Sequence, residues 1–522
     1  LREVRTILDI NLRYIFVILY IIAISGGYKI LGIFPHSARS HHIYFTALVE
    51  ELARRQHNVT VINYHPMPNL SKVVRISLLG NENANVTVDT EKRLELLSIS
   101  DISMAYTTAT KYKDIAKRNC IKLMENKEIR KIIDSGVQFD LVIIEQFVSD
   151  CGFAIAYKLN APTVGITAHI LKPWSYSRLG APNNPAFVPN HFFGSGSKPN
   201  LFNKIKSLII NFGINMYYAR VIQKSDQGIV SRVYPDIPPL EDLGKNMSLV
   251  LINQYFPLTS PQLYSSNVIE VGGLHISKKE PLLDQIFLDS AQNGVVYISF
   301  GKQYSICLEN RYFILGSTEK RVPWKMDATG SSVVDIKFWS IFLGHSKVIG
   351  FISHSGMLST SEAVYCGVPV VSVPLFGDQF ANGRSVVESG IGVAVDILTV
   401  TEKVLEDALD TILQEKYYQK AKKLSQVWKD RPLSPMDTAV FWIEYVARNK
   451  GAVNMRPSTV DLSFYEYFLI DVFIVMVIVL TLIVILALCA ARTIFLFIRR
   501  MFLFKEHRKK GETSNLLLIN GQ

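Results

Sequence analysis

Lys29-Ile-Leu-Gly-Ile-Phe34, then Phe45, Leu48, Val49 and Leu52, then Val59-Thr-Val-Ile62: these residues decide the fold. The first run is a strand of the fully buried type that stops at Pro35, where a backbone donor is lost. The four apolar residues that follow recur at i, i+3, i+4 and i+7, which marks one face of a helix running to about Arg55. The third run returns as a strand. Two parallel strands need a crossover of this kind, so the unit is βαβ and a parallel, doubly wound α/β sheet is expected.

Outward from this unit the alternation repeats. Phe139 to Ile144 reads as a strand, Cys151 to Leu159 as a helix and Thr163 to Ile166 as a strand. A less periodic, proline-bearing stretch follows, from about Tyr234 to Phe287. Beyond it Gly294 to Phe300, Val348 to Ser353 and Val368 to Val373 read as strands, with helices between. Two such halves facing one another form a cleft, and ligands of these sheets bind at the carboxyl ends of strands. The first strand is not followed by a GxGxxG turn, which disfavours a dinucleotide enzyme.

The residues that carry chemistry cluster in Phe351-Ile-Ser-His-Ser-Gly-Met-Leu-Ser-Thr-Ser-Glu362 and in the turn Pro374 to Gln379. A strand ends at Ser353, and Ser355-Gly356 open a helix whose free N–H groups and positive dipole end suit a diphosphate without a metal. His354 can add a hydrogen bond, and Ser359 lies in the same first turn. Glu362 follows Ser355 by two helical turns on the same face, where a carboxylate can accept both hydroxyls of a ribose. Asp378 and Gln379 are side chains suited to sugar hydroxyls. Singly each has a bland reading, as a buried imidazole, a solvated glutamate or a loop; the order and spacing together argue for a donor site.

This stretch resembles the donor-binding signature of the animal UDP-glycosyltransferases, the family that includes the microsomal glucuronosyltransferases. The resemblance extends over Ile30 to Ile62, Ile269-Glu-Val-Gly-Gly-Leu-His275, Ala439-Val-Phe-Trp-Ile-Glu-Tyr445 and the C-terminal anchor, and Phe34-Pro-His-Ser-Ala-Arg-Ser-His41 is closest to the arthropod branch. It implies a GT-B fold, acceptor domain first and UDP-sugar domain second, with inverting transfer of a hexose, glucose before others, to small lipophilic acceptors. It implies UDP-glucose or another UDP-hexose as co-substrate, and no metal. The family's general base falls on His41, with His36 and His42 as rivals, and its partner carboxylate falls on Glu145, with Asp150 as the weaker candidate. A neutral imidazole near its working pKa removes the proton of an acceptor hydroxyl as the new bond forms.

Between Gly301 and His345 the chain departs from the family. Trp339 stands where a tryptophan stacks on uracil, but the Pro-Gln that should follow is missing. Lys302 takes a position usually held by a small hydroxyl residue, and Ser355 replaces a glycine, which puts a Cβ where φ freedom is wanted. Two alternatives to an active enzyme therefore stay open. One is a catalytically impaired member that binds lipophilic ligands; the other is a partner-regulating membrane subunit.

The ends and the composition fix topology. Arg2, Arg5 and Arg13 precede an apolar stretch, Tyr14 to Ile22, and small residues, which reads as a signal peptide over 1–25. Val472 to Ala491 contains no charge or proline and is long enough to span a bilayer. Arg492, Arg499, Arg500, Lys505, Arg508, Lys509 and Lys510 follow it, whereas Asp461, Glu466 and Asp471 precede it. The positive-inside rule then gives a single-pass type I protein with luminal catalytic domains, and the resemblance to the microsomal family implies the endoplasmic reticulum membrane. Much of the net charge of +11 lies in that tail, and no basic run interleaved with aromatics points to nucleic acid. The expected order is 26–245 acceptor domain, 246–290 linker, 291–450 donor domain, 451–471 juxtamembrane segment, 472–491 span and 492–522 cytosolic tail. Five cysteines allow one luminal pair and no disulfide scaffold, and none sits in a CxxC or Cys/His cluster. Glycosylation sequons begin at Asn58, Asn69, Asn85 and Asn246; Asn58 opens a strand and is read as unmodified. Homo- or hetero-oligomer formation stays open.

Overall fold

The computed structural model describes residues 27–79, 101–188, 190–192, 198–276, 294–300 and 343–519. The expected signal peptide, Trp339, Lys302 and Asn85 lie outside the described residues. Two compact units divide the chain after Val460.

The first unit holds two sheets. β1 (Lys29–Phe34), β2 (Asn58–Asn63), β3 (Val73–Ser77), β4 (Leu141–Glu145), β5 (Thr163–Thr167), β6 (Leu249–Ile252) and β7 (Val268–Glu270) stand in the order β3-β2-β1-β4-β5-β6-β7. Every pairing is parallel. Ile30 lies beside Val59 on one side and Leu141 on the other, so β1 is central and both of its faces are covered. That is why its sequence is apolar throughout. The order reverses between β1 and β4, and the segments leaving these two strands part to open a crevice.

α1 (Arg39–Arg54) buries Phe45, Leu48, Val49 and Leu52 on one face of this sheet, against Ile30, Val59, Val61 and Leu141. Alternate residues Leu31, Ile33, Ile62 and Val142 point to the other face, beneath α2 (Asp101–Glu125) and α3 (Cys151–Lys158). A disulfide joins Cys120 of α2 to Cys151 at the start of α3. α4 (Leu201–Tyr217) sets Ile210 and Ile214 against Ala105, Ala109 and Trp174, and runs on as a π-helical segment, Tyr218–Gln223.

β8 (Val295–Ser299), β9 (Val348–Ser353), β10 (Val370–Ser372) and β11 (Gly392–Ala394) form the second sheet, in the order β11-β10-β9-β8 and again parallel. α5 (Met357–Cys366) follows β9 and ends at Gly367, whose φ of 67° is the left-handed cap that glycine takes without a Cβ penalty. α6 (Gln379–Glu388) follows β10. α7 (Glu415–Lys429) inserts Trp428 into a core with Phe351, Val364 and Val370.

The sheets divide the chain differently from the expected domain boundaries. β6 and β7 fall within 246–290, the stretch read as a linker, and complete the first sheet. α8 (Pro435–Arg448) follows the second sheet in sequence but packs Ala439, Val440, Ile443 and Val446 against Leu48, Val49 and Val59 of the first. Arg55 pairs with Asp437, and His57 Nε2 lies 3.1 Å from Glu444 Oε1, so the return crossing is held at both ends of α8. Asn69 and Asn246 are exposed, and Asn58 is exposed as the first residue of β2.

The second unit is dominated by α9 (Ile470–Ile519). Its part from Ile470 to Arg508 has a mean hydropathy of 3.5 in its most apolar window and is long enough to cross a membrane.

Candidate active site

His41 sits in the first turn of α1, directly after the loop that leaves β1, and Glu145 is the last residue of β4. Because β1 and β4 are neighbours, the two side chains meet at the point where strand order reverses: His41 Nδ1 is 2.5 Å from Glu145 Oε1. The other carboxylate oxygen accepts the backbone N–H of His36 at 3.2 Å. The extra methylene of glutamate is therefore accommodated, with both oxygens placed. With the proton on Nδ1 donated to Glu145, Nε2 presents its lone pair, and among the described residues no hydrogen bond ends on that nitrogen.

Burial sets the electrostatics. It pushes His41 down from its ordinary value, the Lys172 charge pushes the same way and the Asp378 charge opposes them, so the ring is neutral at physiological pH. Burial raises Glu145, against the opposing influence of His36. A neutral imidazole held by a buried carboxyl is competent to take a proton and to have its cationic form stabilised afterwards.

The rivals are placed elsewhere. His36 packs its ring edge-on to His41 at 4.6 Å and contributes its backbone N–H to Glu145. His42 turns toward Pro66 O at 3.1 Å and stacks near His65, away from Glu145. Asp150 takes both arms of Arg178, at 2.8 and 2.6 Å, and also accepts from Gln223, so it is a buried structural carboxylate and no partner of His41.

Around His41 stand groups that the sequence did not single out. Phe147 lies 5.1 Å and His169 5.7 Å from its ring. Lys172 is buried, with its ammonium 2.7 Å from His191 Nε2, 3.4 Å from Tyr112 Oη and over the Phe147 ring at 4.9 Å. Burial brings its pKa down to about 7 against the opposing charge of Asp378. A lone lysine in a run such as Ile170-Leu-Lys-Pro173 is ordinarily a surface residue, so no sequence signal marked it.

The residues expected at the donor side lie around the second sheet. Ser355 adopts φ 60°, the left-handed region. Its Oγ bonds Ser372 Oγ at 2.5 Å, its N–H donates to Ser353 Oγ at 3.0 Å, and its carbonyl accepts from Asn382 Nδ2 at 3.0 Å. Its Cβ side is thus engaged with β10 rather than with the helix end. Gly356 is the N-cap of α5 and has no side chain to cap the first turn, whose N–H groups find no acceptor within the helix. Ser359 Oγ folds back on Gly356 O at 3.0 Å. Burial pushes His354 down to about 4, and its ring bonds the Ser299 backbone. Glu362 is nearly buried, with Oε1 3.4 Å from His275 Nε2. The expected roles of Asp378 and Gln379 separate. Gln379 Oε1 accepts from the N–H groups of Leu375 and Phe376 at 2.8 and 3.1 Å and so shapes the turn, whereas the Asp378 carboxylate accepts from Asn382 at 3.1 Å, its one side-chain hydrogen bond among the described residues.

The two sides lie against one another. Leu358, in the first turn of α5, packs on the cluster that contains Phe34, Tyr44 and Phe45, the residues flanking His41. The Tyr44 ring lies 5.9 Å from His275, the neighbour of Glu362. Gly377, beside Asp378, stands against Tyr112, whose Oη would lie 3.9 Å from a Cβ there. Asp378 is felt electrostatically by both His41 and Lys172.

Comparison with known proteins bears on the family and the fold. The family model described as "UDP-glucoronosyl and UDP-glucosyl transferase" matches residues 29–509. UDP-glucosyltransferase 2 of Dactylopius coccus is 31% identical over 473 residues, 86% of this chain and 89% of that protein. UDP-glucuronosyltransferase 1A3 of Rattus norvegicus is 27% identical over 483 residues, 86% of this chain and 88% of that protein. Among solved structures, Spinosyn Forosaminyltransferase SpnP superposes with a TM-score of 0.51 at 14% identity, covering 81% of this chain and 100% of its own, which bears on the fold alone.

Proposed function

The chain belongs to the UDP-glucuronosyl and UDP-glucosyl transferase family and is a UDP-sugar-dependent glycosyltransferase; on that footing we propose that it transfers glucose to a hydroxyl of a small lipophilic acceptor, with inversion and with His41 as general base. The observation that carries the proposal is the 2.5 Å contact of His41 Nδ1 with a buried carboxyl, which leaves Nε2 without a hydrogen bond among the described residues.

In this reading the acceptor O–H lies against His41 Nε2. As its oxygen attacks the anomeric carbon from the face opposite UDP, the C–O bond to the diphosphate breaks and the proton passes to Nε2. Glu145 stabilises the imidazolium, and the departing diphosphate carries the electron pair to the N-terminus of α5, where Gly356 and Ser359 open the helix. Glu362 holds the ribose and Asp378 a sugar hydroxyl. No sugar–enzyme bond forms, in contrast to retaining two-carboxylate hydrolases.

The membrane placement belongs to the same proposal: one span, catalytic unit in the lumen of the endoplasmic reticulum, basic tail in the cytosol. The Cys120–Cys151 disulfide supports an oxidising compartment, and the acidic residues Asp461, Glu466 and Asp471 before the apolar stretch 472–491, with the basic residues from Arg492 to Lys510 after it, support that orientation. Full-chain protein supplied with UDP-glucose and a panel of phenols should release UDP and yield β-configured glucosides. Absence of UDP release together with absence of a UDP-glucose-dependent thermal shift would contradict the proposal. For topology, Asn69 and Asn246 should carry glycans sensitive to endoglycosidase H; unglycosylated, protease-exposed protein on intact microsomes would contradict it.

A further inference from the structure

Among the described residues two basic side chains other than histidine are buried, Lys172 and Arg178. Arg178 is neutralised by Asp150 and Glu241, at 2.6 and 2.8 Å. Lys172 makes no ion pair with any described residue, and Asp378 reaches it only as a charge at longer range. Its ammonium has three donors but two acceptors among those residues, His191 Nε2 at 2.7 Å and Tyr112 Oη at 3.4 Å, the second a long contact. The faces of Phe147 and Tyr112, 4.9 and 5.2 Å away, attract a cation without cancelling its charge. A buried cation with no counter-ion is costly, and an anion from outside the chain removes that cost.

The neighbours of Lys172 fit such a visitor. Burial pushes His36, His41, His169 and His191 down from their ordinary value, and the Lys172 charge adds to the shift in each, so the ammonium stands amid neutral imidazoles. His191 accepts from Lys172 at Nε2, which leaves its proton on Nδ1, and that buried N–H has no acceptor among the described residues. His169 donates from Nδ1 to Ile170 O at 2.6 Å, and its Nε2 lone pair has no donor there. Phe147 links this group to the proposed base: its ring lies 5.1 Å from the His41 ring, and its face carries the Lys172 ammonium.

On the reading of His41 as general base, we infer that the acceptors are lipophilic acids that carry a hydroxyl: the hydroxyl lies at His41 Nε2, the apolar body against Phe147, and the carboxylate on the Lys172 ammonium. The carboxylate supplies the counter-ion that the fold omits, which a neutral acceptor cannot do. It is a handle and not the nucleophile. The product is therefore a glucoside of the hydroxyl with the acid left free.

The test gives full-chain protein UDP-glucose and two matched acceptor pairs, 4-hydroxyphenylacetate and 3-(4-hydroxyphenyl)propanoate, each beside its methyl ester. Acid and ester carry phenols of nearly equal acidity, so the ratio of their kcat/KM values reads recognition of the carboxylate and cancels any change at His41. The wild type should favour the acid by about 10- to 100-fold in at least one pair, the worth of a hydrogen bond between charged groups. Lys172→Met, similar in length and suited to a buried site, should bring the ratio to one or below, through the KM of the acid. Phenylacetate, which has no hydroxyl, should compete with the ester in the wild type and not in Lys172→Met. Should Lys172→Met fail to fold, the wild-type ratio and the phenylacetate competition decide. Ratios near one in both pairs, a preference that survives Lys172→Met, or an acyl glucoside as product overturns the inference. Failure of glucosyl transfer itself looks different: no acceptor is consumed, and calorimetry with phenylacetate then decides, binding lost in Lys172→Met supporting the anion site and absence of binding overturning it.

Discussion

Replacing Glu145 by glutamine preserves the shape of the side chain and removes its charge, and the surrounding donors dictate what the amide must do. The backbone N–H of His36 donates to Oε2 at 3.2 Å, and it keeps an acceptor only if the amide oxygen takes that position. The NH2 group then faces His41 Nδ1, 2.5 Å from where Oε1 stood, and can only donate to it. Nδ1 becomes the acceptor, the ring proton moves to Nε2, and the nitrogen facing the acceptor is no longer a base. Loss of the charge-assisted hydrogen bond alone costs about 1.5–3 kcal/mol, and loss of general base catalysis costs about 100- to 10,000-fold. The expected fall in kcat for Glu145→Gln is therefore about 1,000-fold, equal to about 4 kcal/mol of barrier at 1.36 kcal/mol per factor of ten. Glu145→Asp keeps the charge, shortens the reach by one methylene and should lose only about tenfold. Single-turnover UDP release measures the chemical step, and calorimetric titration with UDP-glucose measures donor affinity, which should not change because Glu145 lies on the acceptor side. A Glu145→Gln enzyme within threefold of wild type, or one whose loss appears equally in UDP-glucose affinity, would refute the reasoning.

His41→Ala should lower kcat by about 100- to 10,000-fold with the UDP-glucose Kd intact, since the imidazole acts mainly in the transition state; equal losses in kcat and Kd would count against it. Glu362→Ala should weaken UDP-glucose by about 10- to 100-fold in a titration, the worth of hydrogen bonds to a charged group, with little change in the acceptor KM. Ser355→Gly removes a left-handed non-glycine φ but also the bond to Ser372 Oγ, two effects of about 1 kcal/mol and opposite sign, so the Tm should hardly move, whereas Ser372→Ala should lower it. On acidification, His36, His41, His169, His191 and His354, all pushed down by burial, stay neutral in the native state while the unfolded chain takes up protons below 6.5. Glu145 and Asp226, both pushed up to about 7, act in the opposite sense. His42 and His65 are pushed down likewise and Glu270 up, so seven groups outweigh three and the Tm should drop between pH 6.5 and 5; an unchanged or higher Tm at pH 5 would contradict the assignment.

The fold was legible where periodicity is long or both faces are buried. Lys29–Phe34 and Val348–Ser353 match the strands read from sequence, because central parallel strands are apolar without interruption. β6, with four residues, and β7, with three, were too short to rise above the irregular stretch around them, and α8 could not be assigned to the first sheet because nothing local encodes a long-range return. The candidate site divides in the same way. His41, Glu145 and the turn at Ser355 lie at strand ends and in a recognisable order. Lys172 and His191 owe their positions to tertiary packing and carry no mark in the chain. Gln379 shows a further limit: its residue type suits a sugar, but the turn uses its oxygen for two backbone donors.

The central claim is that one crevice holds an imidazole from the first sheet and a nucleotide sugar on the second. An experimental structure of the full chain with UDP and a phenolic acceptor tests it most directly. The account predicts the diphosphate against the backbone N–H groups of Gly356 to Ser359 and the acceptor oxygen about 3 Å from His41 Nε2. A diphosphate bound away from the N-terminus of α5, or an acceptor oxygen beyond reach of His41 while UDP is in place, would contradict it.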